Sequence, residues 1–461
     1  MNAYKKLLGN SVVFAIGNLG SKLISILLVP LYTFYMTTQE YGMVDIVITT
    51  TSMLLPLISL SIYEATLRFA LDGKEDTSKI FTNSLFITII GLFILLGLSP
   101  FFSKLSIDSL LLKYLVLILS LQVLQATLAQ FSRAIGKVKA YAFNGILMSF
   151  VIGGLNIYLL VYKNLGVEGY LLSIVAANVV SILFFSIILK IWKYIKKSTI
   201  SIETMREMLK YSIPLIPNAF MWWIISASNR FFILYFVGVE ANGLFAVANK
   251  IPSFLSILYA IFFQAWQISA IEEFNSKDKS RFYSKIFNLF SMVMFLGSSF
   301  LLIFLKYVVA NFIAVEYYDS WKTVPFLLLS VVLSSFSSFL GTNYIAAKET
   351  KGVFSTSLLG GISNVALNFI LVHFLGITGA AISTMISFGI MWVIRVIDTK
   401  KYIHVALDIK ALTFYVSIFF LQTYVLFLGL TIKKEIFIEL ILFLIVFIFS
   451  IMVLKREKRI K

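Results

Sequence analysis

The chain has 461 residues, of which 59% are hydrophobic and only 13% charged, and it contains no cysteine. Soluble domains lie nearer half apolar and a quarter charged, so this composition excludes a soluble enzyme, a disulfide-stapled secreted protein, a cysteine-ligated metal protein and a disordered chain. A formal net charge of +17 would point to nucleic acid in a soluble protein, so the placement of the basic residues decides what it means.

A helix crosses a bilayer with about 20 mostly apolar residues. Fourteen such stretches follow one another: 11–35, 42–67, 80–99, 110–131, 141–162, 167–190, 212–236, 243–271, 286–305, 323–345, 353–373, 377–397, 411–430 and 436–454. Their length and weak alternation predict helices and not barrel strands. Met1 to Gly9 is short and basic, but the apolar run after it is span-length and lacks a small-residue cleavage site, the pattern of a first span. The longest polar segments, Lys193–Lys210, Glu272–Lys285 and Lys306–Lys322, are too short for a domain with its own core. Function is therefore expected inside the helical bundle.

With a cytoplasmic N-terminus and strict alternation, 29 of the 39 basic residues fall on the cytoplasmic side and 7 on the other. That asymmetry satisfies the positive-inside rule. The basic charge is then a topology signal, and no nucleic-acid partner is expected. Lys22, Arg230 and Lys250 remain inside spans.

The chain repeats itself. A shift of 201 residues places Ser11 on Ser212, Ser25 on Ser226 and Gly42 on Gly243. A shift of 212 places Asn156 on Asn368, and a two-residue slip brings Gly166 and Gly169 onto Gly376 and Gly379. A six-helix unit keeps its membrane orientation on duplication, so the repeats are parallel about an axis along the membrane normal. The expected fold is all-α and integral to the membrane: two six-helix lobes, 1–210 and 211–405, around a central cavity, then two added helices and a basic cytoplasmic tail in 406–461. This is the plan of an alternating-access transporter.

Charge inside a membrane is costly and usually faces a wet cavity. The first helix carries Ser11, Asn18, Lys22 and Ser25 on one face. The second carries Asp45, Thr49, Ser52, Pro56 and Ser59, the seventh Asn218, Trp222, Ser226, Asn229 and Arg230, and the eighth Asn249, Lys250, Ser253 and Ser256. Small polar residues also glue helices together. An internal ion pair for Lys22 and snorkelling for Arg230 are the competing readings. Glu64 and Arg68, spaced i, i+4 at a cytoplasmic helix end, are expected to pair with each other. Counted within the spans away from that pair, these three cations stand against Asp45, and a cationic cavity suits a phosphate or pyrophosphate. Pro30, Pro56, Pro214, Pro217 and Pro252 fall in or at the ends of the same four helices, which makes those helices candidate gates or static kinks.

There is no phosphate loop of the G-x-x-x-x-G-K-[ST] type and no H-E-x-x-H. His373 and His404 are the only histidines. No catalytic site, metal site or cofactor is expected, and the energy source is left open between an H+ or Na+ gradient and downstream consumption of the product.

The segment from Pro30-Leu-Tyr-Thr to Glu40-Tyr-Gly42 resembles the end of the first helix in bacterial polysaccharide and O-antigen flippases. Leu67-Arg68-Phe69 is similar to the end of that family's second helix, and Asn229-Arg230 through Asn249-Lys250-Ile251 to its seventh-to-eighth hairpin. The resemblance implies the superfamily of multidrug exporters, lipid II flippases and O-antigen flippases, with two six-helix lobes, and fourteen helices in the lipid II branch. It implies an undecaprenyl-pyrophosphate-linked glycan as substrate, membrane lipids as surroundings, polysaccharide polymerase and chain-length machinery as partners, and the bacterial inner membrane as location. A lipid II flippase or an ion-coupled drug antiporter is the alternative. Asn229 stands where family members often have Asp, so a coupling role for that carboxylate does not carry over, and Arg230 lacks an adjacent counter-charge.

Overall fold

The computed structural model describes residues 20–72, 75–102, 108–274, 276–347 and 350–459. Asn18 lies outside the described residues. By its internal contacts the chain divides into two units, Met1–Trp223 and Ile224–Lys461. The described residues contain helices and no strand.

The first unit holds α1 (Gly20–Tyr35), α2 (Thr38–Ile58), α3 (Ile62–Asp72), α4 (Thr77–Phe102), α5 (Ser109–Ala134), α6 (Val138–Asn156), α7 (Gly166–Leu189) and α8 (Ile202–Ser212). Helix α9 (Leu215–Ala227) carries the division between the units. The second unit continues with α10 (Asn229–Phe236), α11 (Val239–Ala248), α12 (Pro252–Glu273), α13 (Lys279–Ile303), α14 (Leu305–Phe312), α15 (Val324–Ala346), α16 (Thr350–Asp398), α17 (Ile409–Phe427) and α18 (Ile432–Arg459).

Ten described helices are long and apolar enough to cross a membrane, or eleven if α11 and the start of α12, bent by 48°, form one crossing. The difference from the fourteen expected stretches is local. The first stretch is described only from Gly20, and the seventh splits at Ser228 between α9 and α10. The eighth splits at 249–251. The eleventh and twelfth run together as α16, whose 49 residues would extend about 74 Å if straight, over twice a hydrocarbon core of about 30 Å. Gly376, the one non-helical residue inside α16, divides it into two legs.

Breaks fall on the helices with polar stripes. The expected span 42–67 is interrupted after α2, where Leu60 and Ser61 both take positive φ, 48° and 50°. That conformation is disfavoured for side chains with a Cβ, and here a local ladder holds it. The Ser61 amide donates to the Pro56 carbonyl at 2.9 Å, and the Ser59 hydroxyl donates to the Leu55 carbonyl at 2.6 Å. Of the five candidate prolines, Pro56 lies inside a helix, α2; Pro252 opens α12, Pro30 enters the first turn of Val29–Tyr35, Pro214 precedes α9 and Pro217 sits in its first turn. Proline is cheap in a first turn, because its missing N–H has no helical partner there.

The polar segment at 193–210 contains α8, whose Ser201 side chain caps the helix by accepting from the Thr204 amide at 3.3 Å. One side of α8 places Met208 among Ile62, Ala65, Ile80 and Ile87. The connection leading into it is pinned to α4. Asn83 donates to the Thr199 carbonyl at 3.0 Å and accepts from the Ser201 amide at 2.9 Å, while the Thr82 hydroxyl donates to the Tyr194 carbonyl at 2.9 Å. In the second unit the core is aromatic, with Trp266 stacked on Phe339 at 4.0 Å and Phe262 on Phe290 at 4.2 Å between ring centres.

Each unit places an asparagine junction at the repeated asparagine, with different partners. In the first, Asn156 at the end of α6 donates to the Tyr32 hydroxyl of α1 at 3.1 Å. In the second, its repeat partner Asn368 on α16 donates to the Asn229 carbonyl oxygen of α10 at 2.8 Å. Gly166 and Gly376, paired by the same repeat, both have positive φ, 47° and 57°.

Candidate functional site

Serine hydroxyls of the polar stripes turn back onto their own helices at several positions. Ser25 donates to the Ser21 carbonyl at 3.0 Å, Ser52 to Thr49 at 2.7 Å, Ser253 to Asn249 at 2.9 Å and Ser256 to Pro252 at 3.3 Å. Back-bonding of this kind satisfies the hydroxyl within the helix and favours bending. It fits the packing reading of these residues. The Thr49 carbonyl, for its part, accepts from the Trp223 indole at 3.2 Å.

In the first unit Lys22 is exposed on α1, and Asp45 is half-buried on α2. Asp45 lies near Tyr170. Tyr170 belongs to an aromatic cluster, with Tyr32 at 4.7 Å and Tyr41 at 6.3 Å between ring centres. Arg230 of the second unit is half-buried on α10. It donates to the Ser226 carbonyl at 3.4 Å and lies over the Phe245 ring of α11 at 5.7 Å, a cation–π distance. Lys250, half-buried, follows the end of α11.

Asn229, read from the sequence as a cavity residue, is engaged by its neighbours. It is 2% exposed and both ends of its amide are taken. Its nitrogen donates to the Thr384 hydroxyl at 2.6 Å, and its oxygen accepts from Asn368 at 2.8 Å. Asn368 also donates to Asn364 at 2.8 Å, and Ser228 donates to the same Asn364 oxygen at 3.3 Å. The cluster ties α10 to both legs of α16, and its polar groups are spent on packing. Asn368→Ala is expected to lower stability by about 1–3 kcal/mol, because it strands the buried Asn229 oxygen and leaves the Asn364 oxygen with Ser228 alone. Thermal unfolding of the purified protein in nanodiscs, with Asn368→Asp alongside to keep the volume, measures the loss.

The charge count within the spans also changes. Arg395, expected with the cytoplasmic set, is 1% exposed. Its guanidinium donates to the Ser337 carbonyl at 2.7 Å, the Thr356 hydroxyl at 3.0 Å and the Ser357 hydroxyl at 3.1 Å. Gly341 makes the room, since a Cβ there would stand 2.8 Å from the guanidinium. Lys306, expected in an outer loop, is buried against Glu435 at 2.7 Å and lies 4.2 Å from the centre of the Trp321 ring. It donates to the Leu426 carbonyl as well. Glu439, inside the expected span 436–454, is fully buried. Three cations against Asp45 therefore understates both signs. The available signal was position: Arg395 and Glu439 both lie within expected spans, while the burial of Lys306 depends on α17 and α18 folding over it.

Among the described residues no group of three or more His, Asp or Glu is placed to hold a metal ion.

Residues 7–267 match the model of the polysaccharide biosynthesis protein family, more than half of the chain. The chain belongs to that family. No curated protein matches it by sequence. Solved structures do match this family member by fold. The lipid II flippase MurJ, in an inward closed conformation, superposes with a TM-score of 0.73 at 16% identity, over 97% of this chain and 99% of that one. An outward-facing multidrug resistance MATE transporter of the MOP superfamily gives 0.61 at 15% identity, over 86% and 95%. A MOP superfamily transporter from Pyrococcus furiosus, described by a reverse polarity of its binding pocket, gives 0.61 at 14% identity, over 86% and 96%. The membrane-transporter fold is shared nearly end to end.

Proposed function

We propose that this protein is a flippase that moves undecaprenyl-pyrophosphate-linked oligosaccharide units from the cytoplasmic to the outer leaflet of the bacterial inner membrane. The observation that carries the reading is the combination of polysaccharide-biosynthesis family membership with a fold that coincides with a lipid II flippase over 97% of the chain. Lys22, Arg230 and Lys250 are the proposed phosphate contacts, with Asp45 balancing their charge, while the polyprenyl tail stays in lipid. The broken helices support an alternating-access motion, with Pro30, Pro56, Pro214, Pro217 and Pro252, in or beside those helices, as the proposed gating positions. In this reading both termini are cytoplasmic, and a polysaccharide polymerase with its chain-length machinery uses the product.

Complementation of a strain lacking its polysaccharide flippase tests the proposal. Surface glycan should return with the wild type and fall at least tenfold with Lys22→Ala or Arg230→Ala at equal membrane expression, since each variant removes a charge-assisted contact of about 1.5–3 kcal/mol. Normal glycan from both variants overturns the phosphate contacts. No rescue across several glycan backgrounds overturns the substrate, and rescue of peptidoglycan synthesis instead assigns lipid II.

A further inference from the structure

The two helices after the repeated lobes carry a charge that their packing leaves unbalanced. Lys306 and Glu435 form a buried pair at 2.7 Å, with side chains 7% and 1% exposed. One helical turn further along α18 lies Glu439, 0% exposed. Its Oε2 accepts from the Gln422 amide of α17 at 2.8 Å, and its Oε1 has no hydrogen-bond partner among the described residues. Gln422 is itself held, because its carbonyl oxygen accepts from the Ser299 hydroxyl of α13 at 2.7 Å.

The titratable groups facing Glu439 are Glu435 from its own helix and Lys306 from α14. Helices α13 and α17 present Ser299 and Gln422, which do not titrate. One lysine and two glutamates leave one negative charge if all three are ionised. Glu439 lies seven residues into α18, about 10 Å from its start, and from Leu440 to Leu454 the helix is apolar apart from Ser450. An ionised carboxylate fully buried there with one neutral donor carries a desolvation penalty of several kcal/mol. The uncharged acid keeps the Gln422 hydrogen bond and removes the charge.

We propose that Glu439 is a proton-binding site, the place where an H+ gradient acts on this protein. Binding converts the carboxylate and one proton into the neutral acid; release leaves a carboxylate one turn from Glu435, the partner of the Lys306 ammonium, so that this one cation then faces two negative charges. The alternation changes how strongly α18 is held to α14, and so links protonation to the packing of the last two helices. Use of the site to drive transport rests on the flippase reading, whereas the proton site itself needs no transported molecule.

Infrared difference spectroscopy of the full chain in lipid, titrated with pH, reads the site directly. The expected result is a protonated-carboxyl carbonyl band at neutral pH that disappears in Glu439→Gln, shifts in Glu439→Asp, and persists in Glu435→Gln. Absence of the band from the folded wild type, or its survival in Glu439→Gln, overturns the proposal. If Glu439→Gln does not fold, Gln422→Leu, which removes the hydrogen bond to Oε2, should shift the band's frequency, and an unmoved band overturns the assignment. Loss of the band on exchanging KCl for NaCl at fixed pH also overturns it, because the bound ion would then be sodium. A site that passes these tests in a strain where no glycan is rescued leaves the proton proposal standing and the flippase reading refuted.

Discussion

Lys306→Met is expected to destabilise the second unit by about 3–5 kcal/mol, because it leaves Glu435 buried without its partner. The ammonium meets the Glu435 carboxylate at 2.7 Å, the Leu426 carbonyl and the face of Trp321, whose ring centre is 4.2 Å away. Methionine keeps most of the volume and none of these contacts. The penalty comes from the stranded carboxylate and not from the lost lysine alone. The double variant Lys306→Met/Glu435→Leu should therefore recover most of the stability, since apolar replacement of a whole buried pair is often neutral or better. Thermal unfolding in nanodiscs of the wild type, both single variants and the double variant closes the cycle. A single-variant loss below about 1 kcal/mol would mean that the pair behaves like a solvated surface bridge, and would sink the argument.

Which parts of this molecule could be read in the sequence follows from the range of the interactions involved. Helical spans are local: an apolar run long enough to cross a bilayer must satisfy its own backbone, so α4, α5, α7 and α13 lie where hydropathy places them. The repeat was legible through Asn156 with Asn368 and Gly166 with Gly376, and the structure gives those pairs matching roles. Breaks were less legible. Leu60 and Ser61 carry no turn signature, and their left-handed backbone is held by hydrogen bonds from α2 and its end. Asn229 reads as a polar residue on a helix face, but the partners that occupy it lie on α16, far along the chain. The same holds for Lys306, whose buried partner is 129 residues away. A sequence shows which residues are polar. Only the packing shows which of them are already satisfied.

The turn within α16 carries the other large expected effect. Gly379→Ala should prevent stable accumulation of the protein, for a steric reason that relaxation cannot remove. A Cβ at Gly379 would stand 2.0 Å from the Leu371 carbonyl oxygen, 2.4 Å from its carbon and 2.9 Å from the Val372 nitrogen. All three are backbone atoms in the last turns of the preceding leg, so a shift would pull the two legs apart. Overpacking of this kind exceeds the usual penalty of about 1–3 kcal/mol, which assumes that side chains can yield. Gly376→Ala differs in mechanism. Nothing lies within 4 Å of its Cβ position, but its φ of 57° and ψ of −137° fall where side chains other than glycine are strained, at a cost of about 1–3 kcal/mol. Asparagine tolerates the left-handed helical region but not this ψ, so Gly376→Asn should fare no better than Gly376→Ala. The repeat partner Gly169 is the control. A Cβ there would meet the Leu165 and Leu159 side-chain Cβ atoms at 3.0 and 3.1 Å, so Gly169→Ala should cost less than Gly379→Ala. Membrane-fraction levels and unfolding temperatures of the four variants give the order directly. Gly379→Ala at wild-type level and stability would show that the two legs do not meet as closely as the carbonyl contact requires.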